Sequence, residues 1–171
     1  AYWDEFRKVT VKLRLRRVEL LCLLVVAVIA LGSAYGSQYF GGLQPCKLCL
    51  YQRWPWWTVF SLAGLTSVLP VSVEMTNRML ILIGIVLIVG CAIAFYQTGI
   101  EQKWWPGPAT CSGVEELPKT LSELHLNLQR STPTRCDKIP WSFMGISMAG
   151  YNAIASGTAS IFAFIIGLKR N

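Results

Sequence analysis

Met79-Leu80-Ile81-Leu82-Ile83-Gly84-Ile85-Val86-Leu87-Ile88-Val89-Gly90-Cys91-Ala92-Ile93-Ala94-Phe95-Tyr96-Gln97-Thr98 is a run without a single charge. A helix of about 20 such residues crosses a hydrocarbon core of ~30 Å, so the run reads as a membrane span. Three more blocks have the same character. Residues 18–40 hold Glu19 near their start and no other charge, and 54–73 and 142–168 hold none. The expected fold class is therefore an all-α membrane protein. It is read as a four-transmembrane-helix bundle in one integral membrane domain over 1–171, with spans at 18–40, 54–73, 79–98 and 142–168. Composition agrees: 53% of the chain is hydrophobic and 15% charged, too apolar for an ordinary soluble domain of 171 residues. The first block exceeds the roughly 7–15 residues of a signal-peptide core, so it is read as a retained span.

Basic residues set the orientation. Arg7, Lys8, Lys12, Arg14, Arg16 and Arg17 precede the first span, and Lys169 and Arg170 follow the last, which places both termini in the cytoplasm. The short connection at 73–78 is then inside. The loops at 41–53 and 99–141 lie outside, in a bacterium the periplasm, where disulfides persist. The net charge of +7 comes largely from the N-terminal cluster, a topology signal and a contact for anionic lipid. With no basic stripe interleaved with exposed aromatics, a nucleic-acid partner is excluded.

Aromatic and small residues refine the picture. Trp54, Trp56, Trp57, Trp104, Trp105 and Trp141 fall at the outer ends of spans, as an interfacial belt would. Ala149, Ala153 and Gly157 recur every four residues in the last span, a pattern that lets helices approach closely, and Asn152 beside them is read as a helix-to-helix hydrogen bond. In the long outer loop, Leu117, Leu121, Leu124 and Leu128 mark one face of a short amphipathic helix, expected to lie on the membrane surface. His125 sits off that stripe and is read as a solvated residue.

Both external loops carry a cysteine pair: Cys46 and Cys49 in the first, Cys111 and Cys136 in the second. A two-residue gap brings thiols within bridging reach and is the spacing that redox proteins use to lower one thiol's pKa. If the second span begins near Cys49, the helix N-terminus favours a thiolate there, and Arg53, one turn on, could stabilise it. A simple interfacial arginine is the bland reading. Pro55 does not fit inside a regular helix, so this turn is expected to be irregular. Cys22 and Cys91 lie within spans and are read as buried, inert thiols. Spacing leaves the pairing of the four loop thiols open.

Cys46-Lys47-Leu48-Cys49-Leu50-Tyr51-Gln52-Arg53 after a first span, Trp105-Pro106-Gly107-Pro108-Ala109-Thr110-Cys111, and Arg135-Cys136-Asp137 leading into Trp141-Ser142-Phe143-Met144-Gly145 resemble the disulfide bond formation protein B family. The resemblance implies a quinone-dependent protein-disulfide oxidoreductase of the bacterial inner membrane. Such an enzyme reoxidises a periplasmic thioredoxin-fold thiol oxidase, DsbA, and passes the electrons to a membrane quinone, ubiquinone ahead of menaquinone. It assigns catalytic roles to Cys46, Cys49, Cys111, Cys136 and Arg53. Cys111 meets the reduced partner, Cys136 is its mate and exchanges with Cys46, and Cys49 with Arg53 faces the quinone. The implied resting pairs are Cys46–Cys49 and Cys111–Cys136. Family members that carry histidine after the tyrosine ending the third span differ from Tyr96-Gln97 here; Gln97 can donate a hydrogen bond to a quinone but not relay a proton. The protein is expected to act as a monomer and to bind no metal.

Three other readings compete. A vitamin K epoxide reductase-like enzyme also couples a helical bundle to quinone, but its Cys-x-x-Cys comes late in the chain. A structural zinc site of four cysteines is disfavoured by the wide spacing of Cys111 and Cys136. A non-catalytic tetraspan stapled by disulfides is the third.

Overall fold

The structure is a computed structural model and describes residues 2–108 and 135–169. Helix α1 runs Tyr2–Tyr39, α2 Lys47–Tyr51, α3 Arg53–Val68 and α4 Val73–Glu101. A small hairpin, β1 Ser142–Phe143 and β2 Ile146–Ser147, leads into α5, Met148–Leu168. Among the described residues three helices are long and apolar enough to cross a membrane: α1 from Thr10, α4 and α5. The expected span at 54–73 corresponds to α3, which is only 16 residues long.

The boundaries differ from the sequence reading for local reasons. Pro70 biases the residue before it toward extended backbone, and Leu69, at ψ 145°, ends α3 there. Ser72 then accepts the amide N–H of Met75 and caps α4, so 73–78, expected as an inside connection, opens a helix. Residues 142–147, expected inside the last span, pair as Ser142 with Ser147 and Phe143 with Ile146. Met144 and Gly145 both take positive φ, 50° and 79°, as a two-residue hairpin turn requires. The amphipathic helix expected over 117–128, and His125 within it, lie outside the described residues.

The bundle buries one stripe of each helix. On α1 the buried positions are Arg16, Leu20, Leu23, Ala27 and Leu31, spaced three and four apart. The four apolar ones meet Val59 and Ala63 of α3 and Leu80, Ile83 and Leu87 of α4 in one core. The opposite faces are equally apolar: Val25, Ile29, Ile85, Ile88, Ile161 and Ile165 are all exposed, as helices facing lipid require. Close approach does the packing of α4 against α3 and α5. A Cβ on Gly90 would sit 3.0 Å from Pro55 Cβ, and one on Gly84 3.0 Å from the Phe164 ring, so α4 has glycine where its neighbours press nearest. Ser160 Oγ donates to the Gly84 carbonyl at 2.9 Å across this contact. The small-residue stripe of α5 is broader than expected. Ala149, Ser156, Ala159, Ser160 and Ala163 are buried, whereas Ala153 and Gly157 are half-buried, and Cys91 donates its S–H to the Ala153 carbonyl at 3.3 Å. Cys22 is exposed on α1, not buried as expected, because it lies off the Leu20–Leu23–Ala27 face.

Candidate functional site

The chain leaves α1 through Gly41 and Gly42, the latter at φ 66°, and returns at Pro45 to present Cys46 as the N-cap of α2. Cys46 Sγ accepts the N–H of Cys49 at 3.1 Å. The free backbone N–H of this helix start thus reaches the first thiol of the motif and not the second. Cys46 and Cys49 form a disulfide, with Cα atoms 5.0 Å apart. The irregular turn expected from Pro55 is present: the helix breaks at Gln52, between α2 and α3.

Cys136 arrives from the far end of the long loop. It is disulfide-bonded. It is also buried, 1% exposed, in one small cluster with Cys46, 4% exposed, against which Leu48 and Cys49 pack. The structure therefore brings together Cys46, Cys49 and Cys136, although 87 positions separate Cys49 from Cys136. Cys111 lies outside the described residues, and with it the expected Cys111–Cys136 pairing.

Arg53 opens α3, and its side chain is turned to α1. It donates to Gln38 Oε1 at 2.8 Å and to the Ala34 carbonyl at 3.3 Å, and its guanidinium carbon lies 4.5 Å from the centroid of the Tyr35 ring. Its guanidinium is thus engaged by α1 and not by Cys49, the partner that the sequence argument gave it. Next to Cys49 stands Gln97 instead, which donates from Nε2 to Cys49 Sγ at 3.3 Å.

Gln97 belongs to a buried polar group that the sequence reading largely missed. Gln52 donates to Gln97 Oε1 at 2.6 Å, and Gln97 donates to Glu101 Oε1 at 3.3 Å. Asn152 donates to Gln52 Oε1, and Trp56 donates to Asn152 Oδ1 at 2.7 Å. Asn152 makes the helix-to-helix bond expected of it. Trp56 does not belong to the interfacial belt: it is 3% exposed, whereas Trp54, Trp57, Trp104 and Trp141 are exposed. Glu101 is 7% exposed and its Oε2 has no partner. Its signal in the sequence was its four-residue spacing from Gln97, hidden by ending the span at Thr98.

The comparisons with known proteins concur with one another. The family model described as disulfide bond formation protein DsbB matches residues 16–166. An uncharacterized protein of Rickettsia prowazekii is 31% identical over 148 residues, covering 85% of this chain and 84% of that one. Proteins named disulfide bond formation protein B from Pseudoalteromonas atlantica and a Polaromonas species are 30% and 26% identical. The first covers 86% of each chain, the second 88% of this chain and 89% of its own. No solved structure matches.

Proposed function

Because this chain belongs to the disulfide bond formation protein DsbB family, we propose that it reoxidises a DsbA-like periplasmic thiol oxidase and passes the electrons to a membrane quinone. The observation that carries this reading is the burial of Cys136 and Cys46 in one cluster, with Cys46 already bonded to Cys49. In the proposed sequence a thiolate of the reduced partner attacks Cys111, the Cys111–Cys136 bond breaks, and the pair of electrons leaves on Cys136. That thiolate attacks Cys46 Sγ: a Cys46–Cys136 disulfide forms, the Cys46–Cys49 bond breaks, and Cys49 leaves as thiolate. The partner's second thiolate closes its own disulfide and releases Cys111, whose thiolate attacks Cys136, restoring Cys111–Cys136 and freeing Cys46. Each exchange conserves one disulfide, so the two electrons end on the Cys46, Cys49 pair.

The residues here fit a quinone. Cys49 is half-buried, the exposed side chains of Leu50, Tyr51 and Trp54 follow it in the chain, and Gln97 donates to its sulfur; these residues, with Arg53 at the start of α3, would hold the ring. A bound quinone supplies the acceptor for the two electrons and two protons released as Cys46–Cys49 re-forms. A lipid-soluble acceptor also satisfies the energetics. DsbA-type oxidases stand near −120 mV and a glutathione pool near about −200 mV, so glutathione could not reoxidise one without several kcal/mol of uphill driving.

In the membrane, α2 and α3 act together as the span between α1 and α4. Residues 47–68 reach about 33 Å at helical rise, enough to cross. With four spans, both termini lie in the cytoplasm and both cysteine pairs on the periplasmic side of the inner membrane.

The test is anaerobic mixing of the purified protein with reduced DsbA and a soluble ubiquinone, and separately a menaquinone analogue, following quinone absorbance. Reduction is expected with the unaltered protein and not with Cys49→Ser. Absence of reduction by the unaltered protein with every quinone would leave a disulfide-stapled membrane protein as the better account.

A further inference from the structure

The hydrogen bonds behind Cys49 form a chain with a direction. It starts at the Trp56 indole of α3, which donates to Asn152 Oδ1 on α5. Asn152 donates from Nδ2 to Gln52 Oε1, Gln52 from Nε2 to Gln97 Oε1, and Gln97 from Nε2 to Cys49 Sγ and Glu101 Oε1. A lone primary amide can face either way, because it carries an acceptor on one arm and donors on the other. Here one end decides. The Trp56 indole N–H can only donate, so Asn152 must turn its oxygen to Trp56, and each of the three amides in series then has one orientation that leaves no clash of like groups. Trp56, Gln52, Gln97 and Glu101 are each more than nine-tenths buried, which makes a reversed or unpaired member costly.

From this geometry we infer that Trp56, Asn152 and Gln52 are positioning residues that hold Gln97 with an amide N–H aimed at the sulfur of Cys49, and that this N–H stabilises the Cys49 thiolate. The inference rests on the thiol–disulfide exchange proposed above. As Cys136 bonds to Cys46 and the electron pair leaves on Cys49, the new charge forms against a donor already in place. Glu101 takes the other N–H of the same nitrogen and so prevents the amide from turning. The stabilisation that sequence spacing assigned to Arg53 thus comes from a different helix, while Arg53 is held by Gln38, Ala34 and Tyr35 of α1. Among the described residues, the ionisable groups tied to Cys49 by contact are the thiols of Cys46 and Cys136, packed against it, and the carboxyl of Glu101, reached through Gln97.

The test is site-resolved alkylation of the fully reduced, full-length protein in detergent, with iodoacetamide across a pH series and the extent at Cys49 read by mass spectrometry. Gln97→Leu is expected to raise the Cys49 midpoint by about one pH unit, a tenfold lower thiolate fraction at a fixed pH below it. Gln97→His, which restores a ring N–H, returns the midpoint toward that of the unaltered protein. Asn152→Leu, two hydrogen bonds removed from Gln97, moves it in the same direction by a smaller amount. An unmoved midpoint in Gln97→Leu overturns the inference, as does a Gln97→His midpoint no nearer the unaltered one. A lower melting temperature in Asn152→Leu with the Cys49 midpoint unchanged overturns the positioning role, since that is what a merely structural residue would do. Neither partner nor quinone enters the measurement, so failure of the electron-transfer reading shows separately, as absent quinone reduction.

Discussion

At the scale of single residues, Gln97 and Arg53 show where a spacing argument holds and where it fails. Four residues place Arg53 one turn from Cys49, but Gln38, Ala34 and Tyr35 of α1 hold its guanidinium, and Pro55, which has no N–H to give to the carbonyl of Tyr51, interrupts the helical hydrogen bonds there. The same four-residue rule does hold between Gln97 and Glu101 inside the unbroken α4. The cysteines were legible because their chemistry is local and their types are rare. That Cys136 lies against Cys46 was not, since only the fold sets a contact across so much sequence. Beside Cys136, Asp137 accepts two hydrogen bonds from Arg135, at 2.9 and 2.7 Å, and the guanidinium holds its carboxyl below the ordinary carboxylate value. A depressed folded-state pKa means that the pair's contribution is present above the ordinary value and is lost as pH falls through the lowered one. An NMR titration of Asp137 should therefore show a midpoint below that of a free aspartate, and Arg135→Gln should return it upward. Equal midpoints in the two proteins would remove the ion pair from the account of this turn.

At the scale of elements, apolar runs revealed which segments are helical, but their ends are written in capping and turn chemistry that hydropathy does not weigh. Ser72 and Ser147 each turn an apparent stretch of span into a defined helix start, accepting from Met75 N at 3.3 Å and Gly150 N at 3.1 Å. Only the second is buried: Ser147 is 3% exposed and joins β2 to α5 beneath the site. Removing either hydroxyl takes away an N-cap acceptor, at about 0.5–2 kcal/mol, with the larger cost where the orphaned N–H has no water to turn to. Ser147→Ala is thus expected to lower the melting temperature in detergent by more than Ser72→Ala does. If the two fall equally, burial does not set the value of these caps.

At the scale of the whole molecule, the stability of this bundle comes from narrow stripes, because both faces of its helices are apolar and only the inward one packs. Buried Arg16 closes the end of the bundle away from the cysteines, donating to Glu19 Oε2 at 3.0 Å and to the Lys169 carbonyl at 3.2 Å, so the first and last helices are tied beside the basic residues of the N-terminal segment. Charge placement carries the proposed orientation, whereas the length of each apolar helix was not legible in the sequence: α3 is only 16 residues long, and the proposed fourth crossing needs α2 to complete it. The arrangement makes a definite forecast for thiol accessibility. In intact spheroplasts treated with a reductant, a membrane-impermeant maleimide should label half-buried Cys49 first and the buried Cys46 and Cys136 more slowly. In inside-out vesicles the same reagent should label none of them until detergent is added. Cys22, although exposed from the bundle, sits mid-span on α1, out of reach of a reagent that does not enter hydrocarbon, and should stay unlabelled from either side. Labelling of Cys46 and Cys136 from opposite sides would place the two thiols in separate compartments. That result would break the exchange path at its central step, whatever the quinone assay showed.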